Sequence, residues 1–517
     1  MKFVPRTVAI FVALSVTLSL GSNRAAADVK LPPVLSSHMV LQRDAAVPIW
    51  GIAAPEEKVT VKFRDQEKTA TADAKGKWVV KLDALKAGGP DKLTVTGKNT
   101  VVLEDVLVGE VWVGSGQSNM QGSVSGYSKA DPGLAKLAEG TYPKIRLSKS
   151  GGKWTETTAQ TIPSFSAILF AFGVGIQKDL DVPVGLMVGA VGGTPSGYWL
   201  SDDAYRSDDA CKSVVRKFSE TYDFEKVKTA HAAAIVKWEA AVEQAKKDNK
   251  TPPAKPAAPV AAGESGGKIG NLYETHIRPM LPYGIRGVVW DQGESGTAIN
   301  GVDQYTLMGA LIRGWRKDFG QDFAFIYIQK ASGGGCAWDY ADPITDKGEK
   351  FAPLPKAVPN DGTYRELHVR IMNYPNTFMA TSSDLGPGVH PTNKSGYAAR
   401  AARVALGAVY AKKIEYYGPV YKSHKVDGEK VRVAFDHIGQ GLAFKNGDKL
   451  QGFAVAGADG KFEWADATIE GNDVVLSSKV TKPVSVRYAW AANHQWANFF
   501  NKDGLPALPF RTDGATK

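Results

Sequence analysis

Five short apolar segments in the middle of the chain constrain its fold more than any other feature. They are residues 106–113, 184–191, 287–290, 323–328 and 378–381. Uninterrupted apolar runs of this length are typical of strands that are buried on both faces of a sheet. Helical patterns lie among them, at 303–319 and in the alanine-rich stretch 396–412. Strands that alternate with helices predict an α/β fold with a mainly parallel sheet.

Alternation of apolar and polar residues predicts further β structure at both ends of the chain. A chain of 517 residues is too long for one hydrophobic core. Residues 30–106 and 416–513 alternate in the manner of short strands, and the second stretch favours a sandwich. We therefore expect an N-terminal β domain at 28–106, an α/β domain at 107–415 and a C-terminal β domain at 416–517.

A polar insertion is expected inside the α/β domain, near 203–268. Residues 224–247 form a charged, alanine-rich helical pattern, and 251–267 are rich in proline, alanine and glycine. This composition favours a mobile surface loop. We expect a solvated helical excursion without a catalytic role.

Residues 1–27 have the pattern of a secretory signal. Lys2 and Arg6 precede an apolar stretch at 8–20, and the three alanines at 25–27 fit a cleavage site. The apolar stretch is shorter than the roughly 20 residues needed to span a bilayer, and no later segment is long and apolar enough. We expect a soluble mature protein that starts near Asp28, is secreted or periplasmic, and does not insert into a membrane.

The charge of the chain bears on its binding partners, and its cysteine content bears on disulfide formation. The formal net charge is +10, but no block of lysine and arginine resembles a nucleic-acid patch. Cys211 and Cys336 are the two cysteines of the chain, and in an exported protein they form either one disulfide or two free thiols. The sequence does not indicate an oligomeric state.

A glycine-flanked serine follows the first apolar segment. Residues 114–120 are Gly-Ser-Gly-Gln-Ser-Asn-Met, and many hydrolases present a nucleophilic serine on a tight turn after a buried strand. Met120 stands where the common Gly-x-Ser-x-Gly elbow has its second glycine. Ser118 is therefore either a catalytic serine or part of an ordinary strand-to-loop turn.

A catalytic serine needs a base, and His390 is the histidine with the most distinctive setting. It lies in a Gly/Pro-rich loop between the last apolar segment and the helical pattern that begins at Gly396. Catalytic groups concentrate in loops on a rigid scaffold. A loop histidine that caps the following helix is the other interpretation.

Two further motifs follow apolar segments and offer donors for an oxyanion. Gly192 and Gly193 come after 184–191 and either supply a backbone N–H or form a plain turn. Gln292, after 287–290, offers a side-chain amide, and Glu294 offers an acid, a base or a structural acceptor. Active residues gather at the carboxyl ends of parallel strands, so we expect these motifs near Ser118.

Signatures of metal and nucleotide binding are missing from the sequence. It contains no His-Glu-x-x-His, no histidine pair at helical spacing and no calcium-type loop. Phosphate-loop and dinucleotide fingerprints are missing too. We predict no metal and no cofactor.

Together these motifs resemble those of the sialate O-acetylesterase family of carbohydrate esterases, which belongs to the SGNH/GDSL hydrolases. The resemblance rests on 116–120, 290–294, 390–391 and 393–394, and it extends to 31–32, 39–42, 271–282, 488–490, 504–506 and 509–511. It covers nearly the whole mature chain, in order. It implies a three-layer α/β/α domain flanked by β domains, and a serine esterase that acts on an O-acetylated glycan.

Carried over position by position, the resemblance makes Ser118 the nucleophile and His390 the general base. Gly193 and Gln292 fall at oxyanion-hole positions, with Gly192 as a near alternative to Gly193. The implied reaction passes through an acetyl-enzyme, from which water releases acetate.

Two positions depart from the family's pattern. The family usually places an aspartate two residues before the histidine, and many SGNH enzymes place it three before, but here these positions hold Gly388 and Pro387. Asp384 is the nearest carboxylate that can orient His390; a backbone carbonyl or an unassisted Ser–His pair are the alternatives. Asp291 stands where the family commonly has an aromatic residue, and it either changes the pocket or takes part in charge placement.

The leading hypothesis is an exported esterase that removes O-acetyl groups from a sugar, with sialic acid, acetylated xylan and other polysaccharides as candidates. The alternative is a catalytically weak or inactive carbohydrate-binding protein on an esterase scaffold. It is motivated by the missing aspartate and by Trp464, Trp490 and Trp496 near the C-terminus. A protease is disfavoured because no peptide-binding signature is visible.

Overall fold

The structure is a computed structural model that describes residues 28–330, 352–386, 388–445 and 447–514. The predicted signal at 1–27 and Cys336 therefore lie outside the described residues. Cys211 is buried and has no disulfide partner among the residues that the structure describes. Within the described ranges, every helix is too short or too polar to cross a bilayer.

The N-terminal part of the chain is built from β-strands. They are β1 (Val40–Gln42), β2 (Val47–Ile52), β3 (Lys58–Phe63), β4 (Gln66–Thr71), β5 (Lys77–Leu82), β6 (Gly88–Thr96) and β7 (Thr100–Gly116). In β3, Val59, Val61 and Phe63 are buried while Lys58 and Lys62 are exposed, as the period of a half-buried strand requires. The pairs β2–β5, β3–β4, β3–β6 and β6–β7 are antiparallel.

The long strand β7 belongs to two regions of the molecule. Its first half pairs with β6 and, over three residues, with β1. Its second half is a central strand of the α/β sheet. The predicted domain boundary after residue 106 falls inside β7, and the boundary itself stays a prediction.

The central sheet is mainly parallel, which confirms the predicted fold class. Its further strands are β8 (Tyr142–Lys149), β9 (Thr155–Thr157), β10 (Val184–Ala190), β11 (Gly287–Asp291), β12 (Ala324–Ile328) and β13 (Thr377–Ala380). The strand order is β13-β12-β11-β7-β10-β8-β9. All neighbours are parallel except β8 and β9, which pair at one edge.

Helices cover both faces of this sheet. They are α1 (Ser118–Gln121), α2 (Val124–Tyr127), α3 (Pro132–Ala138), α4 (Ala167–Leu180), α5 (Asp202–Ser207), α6 (Asp209–Ser219), α7 (Phe224–Lys247), α8 (Gln304–Phe319), α9 (Thr363–Ile371) and α10 (Lys394–Val404). Short 3₁₀ or π turns lie at Ile162–Ser164, Ser196–Tyr198, Tyr273–Ile277, Arg278–Met280 and Ala405–Val409.

Alternate side chains of each central strand enter two different cores. In β11, Val288 and Trp290 join the core that contains α8, and Val289 joins the core that contains α4 and α10. Trp290 packs edge-on against Trp315 of α8, with ring centroids 5.8 Å apart. Burial of one such aliphatic or aromatic side chain contributes roughly 1.5–3 kcal/mol, so both faces of the strand stabilise the sheet.

Local signals account for most helix bounds. The Asp303 side chain caps α8 by accepting the Thr306 N–H, and Gly320 ends that helix at φ +67°. The predicted helix at 396–412 begins two residues earlier, at Lys394, and changes into a π turn after Val404. Helix α7 covers the predicted 224–247 and buries none of its side chains, as a solvated excursion would.

The C-terminal part of the chain is antiparallel β structure. Its strands are β14 (Val420–Asp427), β15 (Lys430–Asp436), β16 (Leu442–Phe444), β17 (Phe453–Ala456), β18 (Phe462–Trp464), β19 (Asp466–Glu470), β20 (Asp473–Ser477), β21 (Ser485–Tyr488), β22 (Phe499–Asn501) and β23 (Phe510–Arg511). Two four-stranded sheets, β14-β15-β20-β19 and β18-β17-β21-β23, share one core. Phe453 and Phe499 pack together inside it, with ring centroids 5.5 Å apart.

Candidate active site

The predicted motifs meet at one edge of the central sheet. Strand β7 lies between β10 and β11, and the last residues of the three strands, Ala190, Gly116 and Asp291, are in register. The chain segments that continue from these strands carry Ser118, Gly193 and Gln292. The expectation that they gather at the carboxyl ends of neighbouring strands is therefore met.

The turn that presents Ser118 requires a glycine at position 116. Gly116 has φ +125°, and a Cβ there would lie 2.1 Å from the carbonyl oxygen of Asp291. That carbonyl accepts the Gln117 N–H at 2.8 Å, so the close approach is also a hydrogen-bonded one. The chain then enters α1 at Ser118, and Met120 is fully buried beneath it. A methionine here fills the core instead of completing a glycine elbow.

The imidazole of His390 lies within hydrogen-bonding distance of the Ser118 hydroxyl. This histidine belongs to the loop between β13 and α10, and its Nε2 is 2.7 Å from the Ser118 Oγ. The alternative role for His390, capping the next helix, is taken by Asn393, whose side chain accepts the Gly396 N–H at 2.7 Å. The structure thus brings together the serine and histidine that the sequence singled out.

Asp384 does not orient His390 in this structure, which corrects the sequence-based expectation. Its carboxylate is buried in a two-pronged ion pair with Arg400 of α10, at 3.1 and 2.7 Å. The guanidinium offers Asp384 a permanent charge and a matching fork of donors, which a neutral imidazole cannot. In the described part of the chain, no carboxylate is hydrogen-bonded to His390.

The two glycines after β10 have different roles. The Gly192 N–H donates to Oε1 of Gln121 at 2.9 Å, and a Cβ on Gly192 would lie 3.3 Å from the Ser118 Cβ. Gly193 is exposed at φ +70°, and no acceptor for its N–H occurs among the described residues. Between the two candidates, the structure leaves Gly193 available to an oxyanion.

Gln292 holds a loop instead of offering a free amide. Its Nε2 donates to the carbonyl oxygens of Thr194 and Gly296 at 3.3 and 3.1 Å, and its Oε1 accepts from Gln304 at 3.2 Å. All of its strong donors are in use. The prediction of Gln292 as an oxyanion donor is therefore corrected to a structural role, in which it fixes the segment that carries Gly193.

A buried ion cluster lies behind the serine. The Lys330 ammonium, which follows β12, is 2.8 Å from Asp291 and 2.8 Å from Glu294. Glu294 also accepts a hydrogen bond from the Gln117 amide. Burial alone lowers the pKa of Lys330, but the charges of Asp291 and Glu294 outweigh it and hold that pKa above its usual value. Asp291 and Glu294 thus act as charge partners of a lysine, and Asp291 is not hydrogen-bonded to His390.

Several site residues were not found from the sequence. Lys330 follows an apolar run without any motif, and Gln121 and Gln304 are ordinary helix residues. Asn119 and Lys394 stand inside quoted motifs, Gln-Ser-Asn-Met and His-Pro-x-x-Lys, but no role was assigned to them. For these two residues, their place in the motifs was the available signal.

Comparisons with known proteins show similarity to carbohydrate esterases over nearly the whole chain. The human sialate O-acetylesterase is 26% identical, over 97% of this chain and 96% of its own length. The rat sialate O-acetylesterase is 27% identical, over 98% of both chains. A carbohydrate acetylesterase from Xanthomonas citri, known from its crystal structure, matches with a TM-score of 0.70 and 29% identity, covering 94% of this chain and 99% of that one. No protein-family profile matches the chain.

The fold and these matches define the chain as a carboxylic ester hydrolase. Within that class, its similarity to sialate O-acetylesterases extends over nearly the whole chain, as the motifs at 116–120, 290–294 and 390–394 led us to expect.

Proposed function

We propose that this chain is an exported serine esterase that removes O-acetyl groups from carbohydrate through an acetyl-enzyme. The observation that carries the proposal is the 2.7 Å contact between His390 Nε2 and Ser118 Oγ. The substrate class rests on the named activities of the relatives, sialate O-acetylesterases and a carbohydrate acetylesterase.

The proposed reaction begins with proton transfer from the Ser118 hydroxyl to His390 Nε2. The freed Oγ attacks the acetyl carbonyl, and the tetrahedral intermediate collapses when His390 returns the proton to the departing sugar oxygen. Water, activated by the same histidine, then attacks the acetyl-enzyme. Acetate leaves and the Ser118 hydroxyl is restored.

Backbone donors stabilise the negative charge in this scheme. The N–H of Ser118 and the N–H of Gly193 have no acceptor among the described residues, and both lie beside the serine turn. Fixed donors aimed at a developing oxyanion cost no reorganisation, and removal of one typically costs about 10²–10³ in rate. Gln292 supports the second donor by holding Thr194, the next residue along the chain.

The tryptophans that motivated a binding-only protein lie in packed surroundings. Trp464 packs against Trp496, with ring centroids 4.9 Å apart, and its indole N–H donates to Pro355 at 2.7 Å. Trp490 is buried and donates to Glu366 at 3.0 Å. Since sugars stack on open tryptophan faces, this packing favours the esterase over the carbohydrate-binding alternative.

The decisive test measures acetate release by wild type and by Ser118→Ala. A small aryl acetate reports the chemistry, and a panel of O-acetylated sialosides, xylan and pectin reports the glycan. Ser125→Ala is the matched control, because Ser125 is an exposed serine on the nearby helix α2. We expect loss of release in Ser118→Ala only; equal rates in wild type and Ser118→Ala would refute the assignment.

Export is tested separately from catalysis. The gene expressed with residues 1–27 should yield protein outside the cytoplasm whose mass corresponds to a start near Asp28. Full-length protein retained in the cytoplasm would contradict the signal assignment without touching the proposed chemistry.

A further inference from the structure

The side chain of Asn119 links the chain segments that carry the two predicted catalytic residues, Ser118 and His390. Asn119 follows Ser118 directly and is fully buried. Its Nδ2 donates to the carbonyl oxygen of Val389 at 3.1 Å, and Val389 immediately precedes His390. The Asn119 amide therefore ties the serine helix to the backbone of the histidine loop.

Lys394 fixes the orientation of that amide. Its Nζ donates to Oδ1 of Asn119 at 2.5 Å, and its side chain is fully buried at the start of α10. If the amide were turned over, its NH₂ would face an ammonium and its oxygen would face the Val389 carbonyl. The contact between the two oxygens would be repulsive in either charge state of Lys394, so the Nδ2 stays on Val389.

The ammonium of Lys394 lies in dry, polarisable surroundings. It is 4.4 Å from the centre of the Tyr127 ring and 5.5 Å from that of Tyr397. Burial lowers the pKa of Lys394 to about 7; the charges of Asp291, Glu294 and Asp131 act against this shift, and that of Lys330 adds to it. Hydrogen bonds are stronger in such low-dielectric surroundings, so the Lys394–Asn119 contact is a firm one.

In many serine hydrolases a carboxylate behind the histidine keeps the imidazole in place. Here Asp384 pairs with Arg400, so the histidine loop must be held by other means. We propose that Asn119 and Lys394 are positioning residues, which hold His390 against Ser118 through the Val389 carbonyl. This proposal rests on the proposed esterase function. The two residues act on the backbone of the loop and not on the imidazole.

The substitution Asn119→Asp separates positioning from folding. It keeps the size of the side chain, removes the donor to Val389 and places a carboxylate beside the Lys394 ammonium, where the two charges attract. We expect a kcat lower by about 10- to 100-fold, the effect of a small misplacement of a catalytic group. KM for an aryl acetate should change less than twofold, and kcat is compared at temperatures where the variant is folded. Lys394→Met should lower kcat in the same direction.

Asn501→Asp provides a matched control. Asn501 is a buried asparagine in β22, whose Nδ2 donates to the backbone carbonyls of Tyr417 and His437 at 2.9 and 3.1 Å. Its loss should lower the thermal midpoint and leave kcat unchanged at temperatures where the variant is folded. A fall in kcat equal to that of Asn119→Asp would show a general effect of buried charge and overturn the proposal.

A double-variant cycle tests whether Asn119 acts through His390. In a His390→Ala background, Asn119→Asp should lower the residual rate no further, because the group it positions is gone. An equal fall in both backgrounds, or an unchanged kcat in the single variant, would overturn the positioning role and leave the esterase proposal standing. A wild-type rate in His390→Ala would overturn both.

Discussion

Asp384 and Arg400 form a buried ion pair, 2.7 Å between Oδ2 and Nη2, across the base of the loop that carries His390. Both side chains are nearly inaccessible to solvent. The carboxylate nearest to the histidine along the chain is therefore committed to a helix on the other side of the loop. Its contribution is to the folding of that loop, and the histidine is not its partner.

Asp384→Ala should accordingly be a stability variant. Removing one member of a buried ion pair leaves the other charge unpaired, at a cost of about 3–5 kcal/mol in the free energy of unfolding. Denaturant titration should show that loss, whereas kcat at a temperature where the variant is folded should fall less than tenfold. Asp384→Leu with Arg400→Leu should recover part of the stability. A loss of about 10⁴ in kcat at unchanged stability, as when a triad acid is removed, would contradict this assignment.

Ser118→Ala and His390→Ala should lower kcat by similar factors, and the double variant should be no worse than either. Residues that act as one unit in a proton transfer show such non-additive losses. Steady-state rates on an aryl acetate, with circular dichroism to confirm folding, provide the measurement. Losses that multiply in the double variant would mean that the 2.7 Å contact is not used in the reaction.

Gly116→Ala and Gly193→Ala should differ sharply in stability, although both glycines have positive φ. A Cβ at Gly116 meets the Asp291 carbonyl oxygen at 2.1 Å, whereas a Cβ at Gly193 meets no described atom within 4 Å. We expect a loss of about 3 kcal/mol or more for the first variant and about 1 kcal/mol for the second. Thermal unfolding of the two variants side by side makes the comparison. Equal losses would show that the serine turn does not need its close contact with β11.

His368 should make the protein sensitive to acid. Burial, with some help from the charge of Lys330, lowers the pKa of His368 to about 3, so the folded state holds a neutral ring while the unfolded state binds a proton below about 6.5. This contribution to stability is complete above pH 6.5. It is lost as pH falls towards 3, by up to about 1.4 kcal/mol per pH unit. His368→Phe should flatten the fall in unfolding free energy between pH 6.5 and 4; identical slopes in wild type and variant would contradict the assignment.

The regular elements of the α/β region could be predicted because their signals are local. The buried strands are visible in the sequence as apolar runs, and α8 has a capping residue, Asp303, and ends at Gly320. Ser118, His390 and Gly193 could be found for the same reason, since each stands in a turn or loop directly after a buried strand. Residues of that kind can be predicted without knowing which distant residues they contact.

The pairing of charged and amide groups could not be predicted in this way. Whether Asp384 meets His390 or Arg400 depends on how α10 packs on the sheet. The amide of Gln292 looked like a donor at the right strand end, yet Gln304, the first residue of helix α8, helps to fix its direction. Lys330 shows the same limit, because an isolated lysine gives no sequence signal of a buried partner. Lys394 stands in a motif, but the motif does not show that Asn119 is its partner.

Strand β7 has a consequence for how this protein can be shortened. Its hydrogen-bonded neighbours change from β6 and β1 to β10 and β11 along a single unbroken strand that ends at Gly116. A strand of its length spans about 55 Å. The nucleophile follows its C-terminal end, and the N-terminal strands pair with its other end. Helix α7 buries none of its side chains, so we expect that shortening this helix would leave that arrangement intact. Removing the N-terminal strands, by contrast, would take away the hydrogen-bonded neighbours of the strand that leads to the serine.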